Sequence, residues 1–231
     1  MSVLFDLHPG EARVRRLGDA DSRFADLARL IGPLSVPAQA DAFAFLVRSL
    51  IGQQLSVKAA ATITGRVLQH CGELTPGVVL AVPEENLRAA GVSKPKIAYV
   101  KGLAGLTERQ ELDFARFSGM DDAEAVAALT TVKGIGRWTA EMFLIFVLGR
   151  ENVLSLGDAG LRRAAAWLYK DAPGGEDAAL DRLGRTWEPY RSIASLYLWE
   201  AINRGHVGAG PFGQSPDAAA RSRGGGGEGR A

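Results

Sequence analysis

An all-α fold is predicted for this chain of 231 residues, and three observations predict it. Apolar residues recur at three- and four-residue spacing along most of the sequence. Glycine and proline interrupt these stretches at helix-length intervals. No alternating strand pattern of comparable strength appears, so no sheet is available to organise the core.

Taken in order, Met1–Ala20 has mixed composition, with a strand or a loop around Val3 to Leu7. Asp21 to Ile31 reads as a helix ended by Gly32-Pro33, and Asp41 to Ile51 as an apolar helix stopped by Gly52. Ser56 caps a helix that runs to about His70, with Val57, Ala60, Ala61, Ile63 or Thr64, and Val67 or Leu68 on its inner stripe. Pro83 opens a short helix ending at Gly91, and Lys96 to Leu106 continues after the turn. The remaining helices are Asp121–Leu129, Arg137–Leu148, Asp158–Tyr169, Glu176–Leu183 and Pro189–Arg204. From Gly208 the composition turns to Gly, Ala, Pro and Ser, which cannot bury enough apolar surface to offset ordering entropy. One helical domain over 1–207 and a disordered tail over 208–231 are therefore expected, with weak nucleic-acid contact through Arg221, Arg223 and Arg230 as an option for the tail.

Composition narrows the function. No apolar run reaches the roughly 18 residues of a membrane span, and the N-terminus lacks the order of a secretory signal, so a soluble cytoplasmic protein is expected. Cys71 is the single cysteine, which excludes internal disulfides and a four-cysteine iron–sulfur cluster. The formal net charge is +1, which argues against a protein that coats nucleic acid through bulk electrostatics. Binding would have to be local. Lys94, Lys96 and Lys101 form one short basic cluster, and Arg48 and Lys58 flank Gln53-Gln54; these are either solvated surface or phosphate contacts. His8, His70 and His206 show no metal spacing.

The most informative segment is Leu129-Thr130-Thr131-Val132-Lys133-Gly134-Ile135-Gly136-Arg137-Trp138-Thr139-Ala140. Two glycines one residue apart allow a sharp turn where a Cβ would clash, and they leave backbone N–H groups uncovered at the start of a helix. That is an anion site suited to phosphate; the plainer alternative is a helix C-cap running into a left-handed turn.

Helix, glycine turn and helix together resemble the helix-hairpin-helix DNA-binding element, and with Asp158 they resemble the signature of the helix-hairpin-helix DNA glycosylases. Three further segments, in the same order, are similar to the 3-methyladenine DNA glycosylase II family of that superfamily: Ser49–Ser56, Gly91–Val100, and Trp187 through Trp199. The resemblance spans roughly Asp21 to Arg204. It implies a two-lobed helix-hairpin-helix fold with a cleft between the lobes, in a short form without the N-terminal β-domain of larger members.

What the resemblance implies for the site can be set beside what the residues say alone. Asp158 corresponds to the catalytic carboxylate, and its own context reads equally as an N-cap. Cleaving an N-glycosidic bond builds positive charge on the sugar, which a fixed carboxylate stabilises while polarising the attacking water. Trp138 and Trp199 match positions that line the base pocket, or serve as core anchors; Met142 and Glu200 stand where relatives have aromatics, which implies a more open pocket unless Glu200 faces solvent. An indole face attracts a cationic alkylpurine by roughly 0.5 to 2 kcal/mol. Gln54 corresponds to the residue inserted into the duplex when the base flips, with Gln53 beside it; both could instead cap neighbouring helices. Gly134, Gly136 and Thr139 would bind phosphate, and the backbone carbonyls of Thr130, Val132 and Ile135 would hold a structural Na⁺, K⁺ or Mg²⁺. Trp138 occupies the position of the Schiff-base lysine of bifunctional relatives.

These implications add up to monofunctional hydrolysis of alkylated purines in duplex DNA, within base-excision repair, with no catalytic cofactor, no iron–sulfur cluster, no membrane partner and a monomeric chain. The alternatives are a non-catalytic DNA-binding hairpin module and a mismatch or oxidised-base glycosylase of the same superfamily.

Overall fold

The computed structural model describes residues 2–169, 175–210 and 212. Along the chain it forms β1 (Val3–Leu7), α1 (Ala12–Ala20), α2 (Ser22–Ile31), β2 (Leu34–Pro37), α3 (Ala42–Gly52), α4 (Val57–Cys71), α5 (Pro76–Ala81), α6 (Glu84–Ala89) and α7 (Lys94–Glu108). A 3₁₀ turn at Phe114–Gly119 follows, then α8 (Asp122–Thr130), α9 (Arg137–Phe146), α10 (Ala159–Leu168), α11 (Gly175–Thr186) and α12 (Arg191–Asn203). β1 and β2 pair as a small two-stranded sheet, so helices dominate and the predicted class holds.

The chain divides into two compact units, one built from the first residues to Leu4 with Pro37–Arg150, the other from Phe5–Val36 with the chain from Glu151 onward. In the first unit, α3 packs on α4, α7 and α9, and α8 packs on α9. Its core includes Leu46, Val47, Leu50, Leu103, Leu129, Phe143 and Leu144, all fully or nearly fully buried. Phe143 is its aromatic centre, edge-on to Phe45 and Phe117 at 6.3 and 5.6 Å between ring centroids. In the second unit, α10 packs on α11 and α12, and α2 on α1 and α12. Trp187, Tyr197, Phe24 and Leu17 are buried there, and Phe24 meets Tyr197 edge-to-face at 5.5 Å.

Most helix starts are chemically explicit. Asp121 and Glu124 form a reciprocal capping box on α8, and Asp41, Ser56 and Asp21 cap α3, α4 and α2. Asp21 does more: its second carboxylate oxygen accepts from the Tyr169 hydroxyl and from Trp187 Nε1 at 3.1 Å. Burial together with that carboxylate pushes the Tyr169 phenol well above its ordinary value, so it stays a neutral donor.

Many helix ends are closed by cations. Lys101 donates to Leu80 O and Val82 O, Arg150 to Met120 O, Arg204 to Ile31 O and Arg23 to Leu168 O. Carbonyls at a helix C-terminus carry partial negative charge, so each such cation is well placed. Lys101, read from sequence as surface or phosphate-binding, is bonded to the C-terminal end of α5.

The expected tail boundary at Gly208 is too early. Gly210 O accepts from Trp167 Nε1 at 2.9 Å, and the Phe212 ring meets Trp167 edge-on at 4.9 Å, so the chain is packed against α10 past that point. Arg221, Arg223 and Arg230 lie outside the described residues.

Candidate active site and nucleic-acid interface

Between α8 and α9 the chain makes two tight turns, closed by Val132 N to Leu129 O at 3.1 Å and Ile135 N to Val132 O at 3.0 Å. Gly134 has φ of +95°, and a Cβ there would sit 2.5 Å from the Tyr99 ring. Glycine is required twice over at that position. Gly136 differs: it is the N-cap of α9 at an ordinary φ of −91°, and nothing lies within 4 Å of where its Cβ would be. The expectation that both glycines avoid a clash within the chain therefore holds for Gly134 alone. Gly136 faces open space, and no side chain caps α9, so its first amides point outward at the positive end of the helix.

Of the other residues placed at the hairpin, Thr139 lies in the first turn of α9 and is buried, 3% exposed. Trp138 is 46% exposed and Met142 is buried one turn further along. Arg137 is held along α9 by the buried Glu141 carboxylate at 2.8 Å. Among the carbonyls expected to hold an ion, Val132 O already accepts from Ile135 N, which leaves one lone pair for a cation.

At the end of α3, Gln53 is the C-cap and Gln54 takes a positive φ of 59°. Leu55 N donates back to Gly52 O at 3.1 Å, closing a turn that leaves Gln54 and Leu55 exposed. The two glutamines separate in role: Gln53 Nε2 donates to Gly134 O at 2.9 Å, tying the turn to the hairpin, while Gln54 faces outward. Lys96, read from sequence as part of a basic surface cluster, instead donates to Ile51 O and Gln53 O.

In the second unit, Asp158 is the N-cap of α10, 9% exposed, with Oδ1 accepting from Leu161 N at 2.8 Å. The loop that delivers it is fastened to α12: Val153 N donates to Ser192 Oγ at 2.9 Å, and Arg191 Nε donates to Asn152 O. Asp158 N closes the last turn on Ser155 O at 3.1 Å. A Cβ at Gly160 would stand 3.0 Å from Asp158 Oδ1 and 3.2 Å from Ile202, so this glycine keeps space beside the carboxylate and lets α10 approach α12. Sequence reasoning passed over Gly160; the signal available was only a glycine two residues after a candidate acid. Trp199 and Glu200, also in this unit, lie on α12 and are half-buried. Glu200 is engaged by Arg204 at 2.7 Å, which turns its carboxylate along α12. Among the described residues no three His, Cys, Asp or Glu group as metal ligands, and no helix is long and apolar enough to cross a membrane.

The chain as a whole is similar to known proteins. A DNA-3-methyladenine glycosidase from Bacillus halodurans superposes with a TM-score of 0.76 at 41% identity, covering 85% of this chain and 92% of that one. The Schizosaccharomyces pombe 3-methyladenine DNA glycosylase, solved with abasic DNA, gives a TM-score of 0.74 at 28% identity over 84% of this chain and 97% of that one. The Escherichia coli DNA-3-methyladenine glycosylase 2 is 32% identical over 178 residues, 72% of this chain and 60% of that protein. Residues 47–189, from the helix before the Gln54 turn through the Asp158 loop, match a single family, and on that match the chain belongs to the HhH-GPD superfamily of base excision DNA repair proteins.

Proposed function

We propose that the chain is a monofunctional DNA glycosylase that hydrolyses the N-glycosidic bond of alkylated purines, of the 3-methyladenine and 7-methylguanine type, in duplex DNA. The observation that carries this reading is a carboxylate fixed at a helix N-cap, Asp158, in a chain whose relatives are named 3-methyladenine glycosylases. An alkylated purine is cationic, so the C1′–N bond breaks with its electron pair moving to the base, which leaves neutral. The sugar becomes oxocarbenium-like, and the Asp158 carboxylate stabilises that charge and takes the proton as water adds to C1′. Its hydrogen bond from Leu161 N fixes its direction without reorganisation during the reaction.

The remaining residues supply grip and selection. The α9 amides at Gly136, Arg137 and Trp138 hold a phosphate, and exposed or half-buried indole faces, those of Trp138 and of Trp199, suit a cationic base. Gln54 fills the stack vacated by the flipped nucleotide. The backbone carbonyls of Thr130, Val132 and Ile135, neutral oxygen donors, would hold a hard cation, which would supply positive charge at the hairpin and no step of the reaction. The chain acts as a cytoplasmic monomer on duplex DNA.

Release of 3-methyladenine and 7-methylguanine from defined duplexes, followed by chromatography of the free base, tests the substrate class; no release from either overturns it. Borohydride added during the reaction is expected to trap no protein–DNA adduct, because Trp138 offers no amine, and product strands break only after alkali or heat. A covalent band on a denaturing gel overturns the monofunctional assignment.

A further inference from the structure

Three contacts join the Gln53-Gln54 turn, the hairpin and α7 into a closed circuit. Lys96 Nζ, in the first turn of α7, donates to Ile51 O at 2.8 Å and to Gln53 O at 2.7 Å. Tyr99, three residues further along α7, lies against Gly134 so closely that only glycine fits. Gln53 Nε2 completes the circuit by donating to Gly134 O at 2.9 Å. Partial burial pushes the Lys96 ammonium below its ordinary value, yet two carbonyls at the negative end of α3 face it, so this cation is occupied by the protein and is not a phosphate contact.

We propose that Lys96 is a positioning residue for base flipping: it clamps the turn that presents Gln54 and so fixes that side chain in register with the hairpin. The proposal rests on the reading of Gln54 as the inserted residue. Unstacking and unpairing a nucleotide opposes the insertion by a few kcal/mol. A loose turn would bend back under that load. A clamped one transmits the hairpin's hold on the phosphate backbone into the gap, which is the advantage of a preorganised contact.

The test compares single-turnover excision of one alkylated lesion in a fully paired duplex and in a bulge, for wild type, Lys96→Met, Lys96→Gln, Lys96→Arg, Gln54→Ala and Lys96→Met/Gln54→Ala, with the melting temperature of each. Lys96→Met is expected to lose about tenfold or more in the paired duplex and much less in the bulge, where flipping is partly done. In the Gln54→Ala background it adds less than about twofold, the non-additivity of residues acting through one another. Lys96→Arg, which can still reach both carbonyls, restores most of the rate; Lys96→Gln serves where Met impairs folding. Equal loss in both contexts, or full additivity with Gln54→Ala, overturns the proposal and makes Lys96 a general support of the fold. The same variants are assayed for 2-aminopurine fluorescence beside a tetrahydrofuran abasic analogue, which reports unstacking without chemistry. A wild-type chain that unstacks the probe but excises nothing refutes the glycosylase reading and leaves the Lys96 comparison intact; one in which Lys96→Met unstacks the probe as well as wild type refutes the clamp.

Discussion

Asp158→Asn is expected to lower single-turnover base release by about two to four decades while leaving the fold and lesion binding in place. The substitution separates the N-cap role of Asp158 from the catalytic role proposed for it. As an N-cap, Asn is nearly as good as Asp, so Leu161 N keeps an acceptor and α10 keeps its start; the stability change should stay within about 1 kcal/mol. What disappears is the negative charge, and with it the partner of the developing oxocarbenium and the acceptor for the water proton. Quenched-flow or manual single-turnover rates on one alkylated duplex, alongside an equilibrium binding measurement, check both halves. A rate within threefold of wild type would sink the catalytic assignment.

The second large effect is on stability. Gly134→Ala places a Cβ 2.5 Å from the Tyr99 ring at a backbone φ of +95°. Left-handed backbone costs an L-residue about 1 kcal/mol, and overpacking of this kind adds about 1–3 kcal/mol. A loss of about 2–4 kcal/mol is expected, seen as a melting temperature lower by roughly 5–15 °C. Gly136→Ala, with an ordinary φ and open space around it, costs no more than about 1 kcal/mol, alanine being the poorer N-cap, and weakens binding to damaged and undamaged duplex alike, because backbone amides read phosphate and not lesion. Calorimetry and fluorescence anisotropy on the pair decide it. Equal melting temperatures for the two variants would mean that Tyr99 can move aside and that Gly134 is a convenience.

What was legible in the sequence was local. The α8–α9 hairpin is written in consecutive residues, as are the caps at Asp21, Asp41, Ser56, Asp121 and Asp158, and all of these stand where sequence placed a helix start. Helix α1 was missed because Glu11 caps it in place of the usual Ser, Thr, Asp or Asn, and because only Val14 and Leu17 are buried. Helix α5 was missed because it has six residues and Thr75 makes no capping bond; β2, with four, is too short to show a period. The difference between Gly134 and Gly136 depends on Tyr99, 35 positions before Gly134 in the sequence. Lys96 was misread for the same reason: its partners are backbone oxygens 43 and 45 positions away, and a carbonyl leaves no trace in composition.

The cations that close helix ends have a consequence for how tightly the protein follows ionic strength. Lys96, Lys101, Arg23, Arg150 and Arg204 are bonded to backbone carbonyls there, in a chain whose 27 Lys and Arg face 26 acids. Counterion release is set by the phosphates a protein neutralises, at a slope of roughly −0.9 in log affinity against log salt for each. If phosphate is held as proposed, by the backbone amides that open α9, that contact displaces few counterions. Raising salt would then loosen its idle residence on undamaged DNA only gently, and discrimination would lie in the short-range fit of the flipped base instead of in charge density.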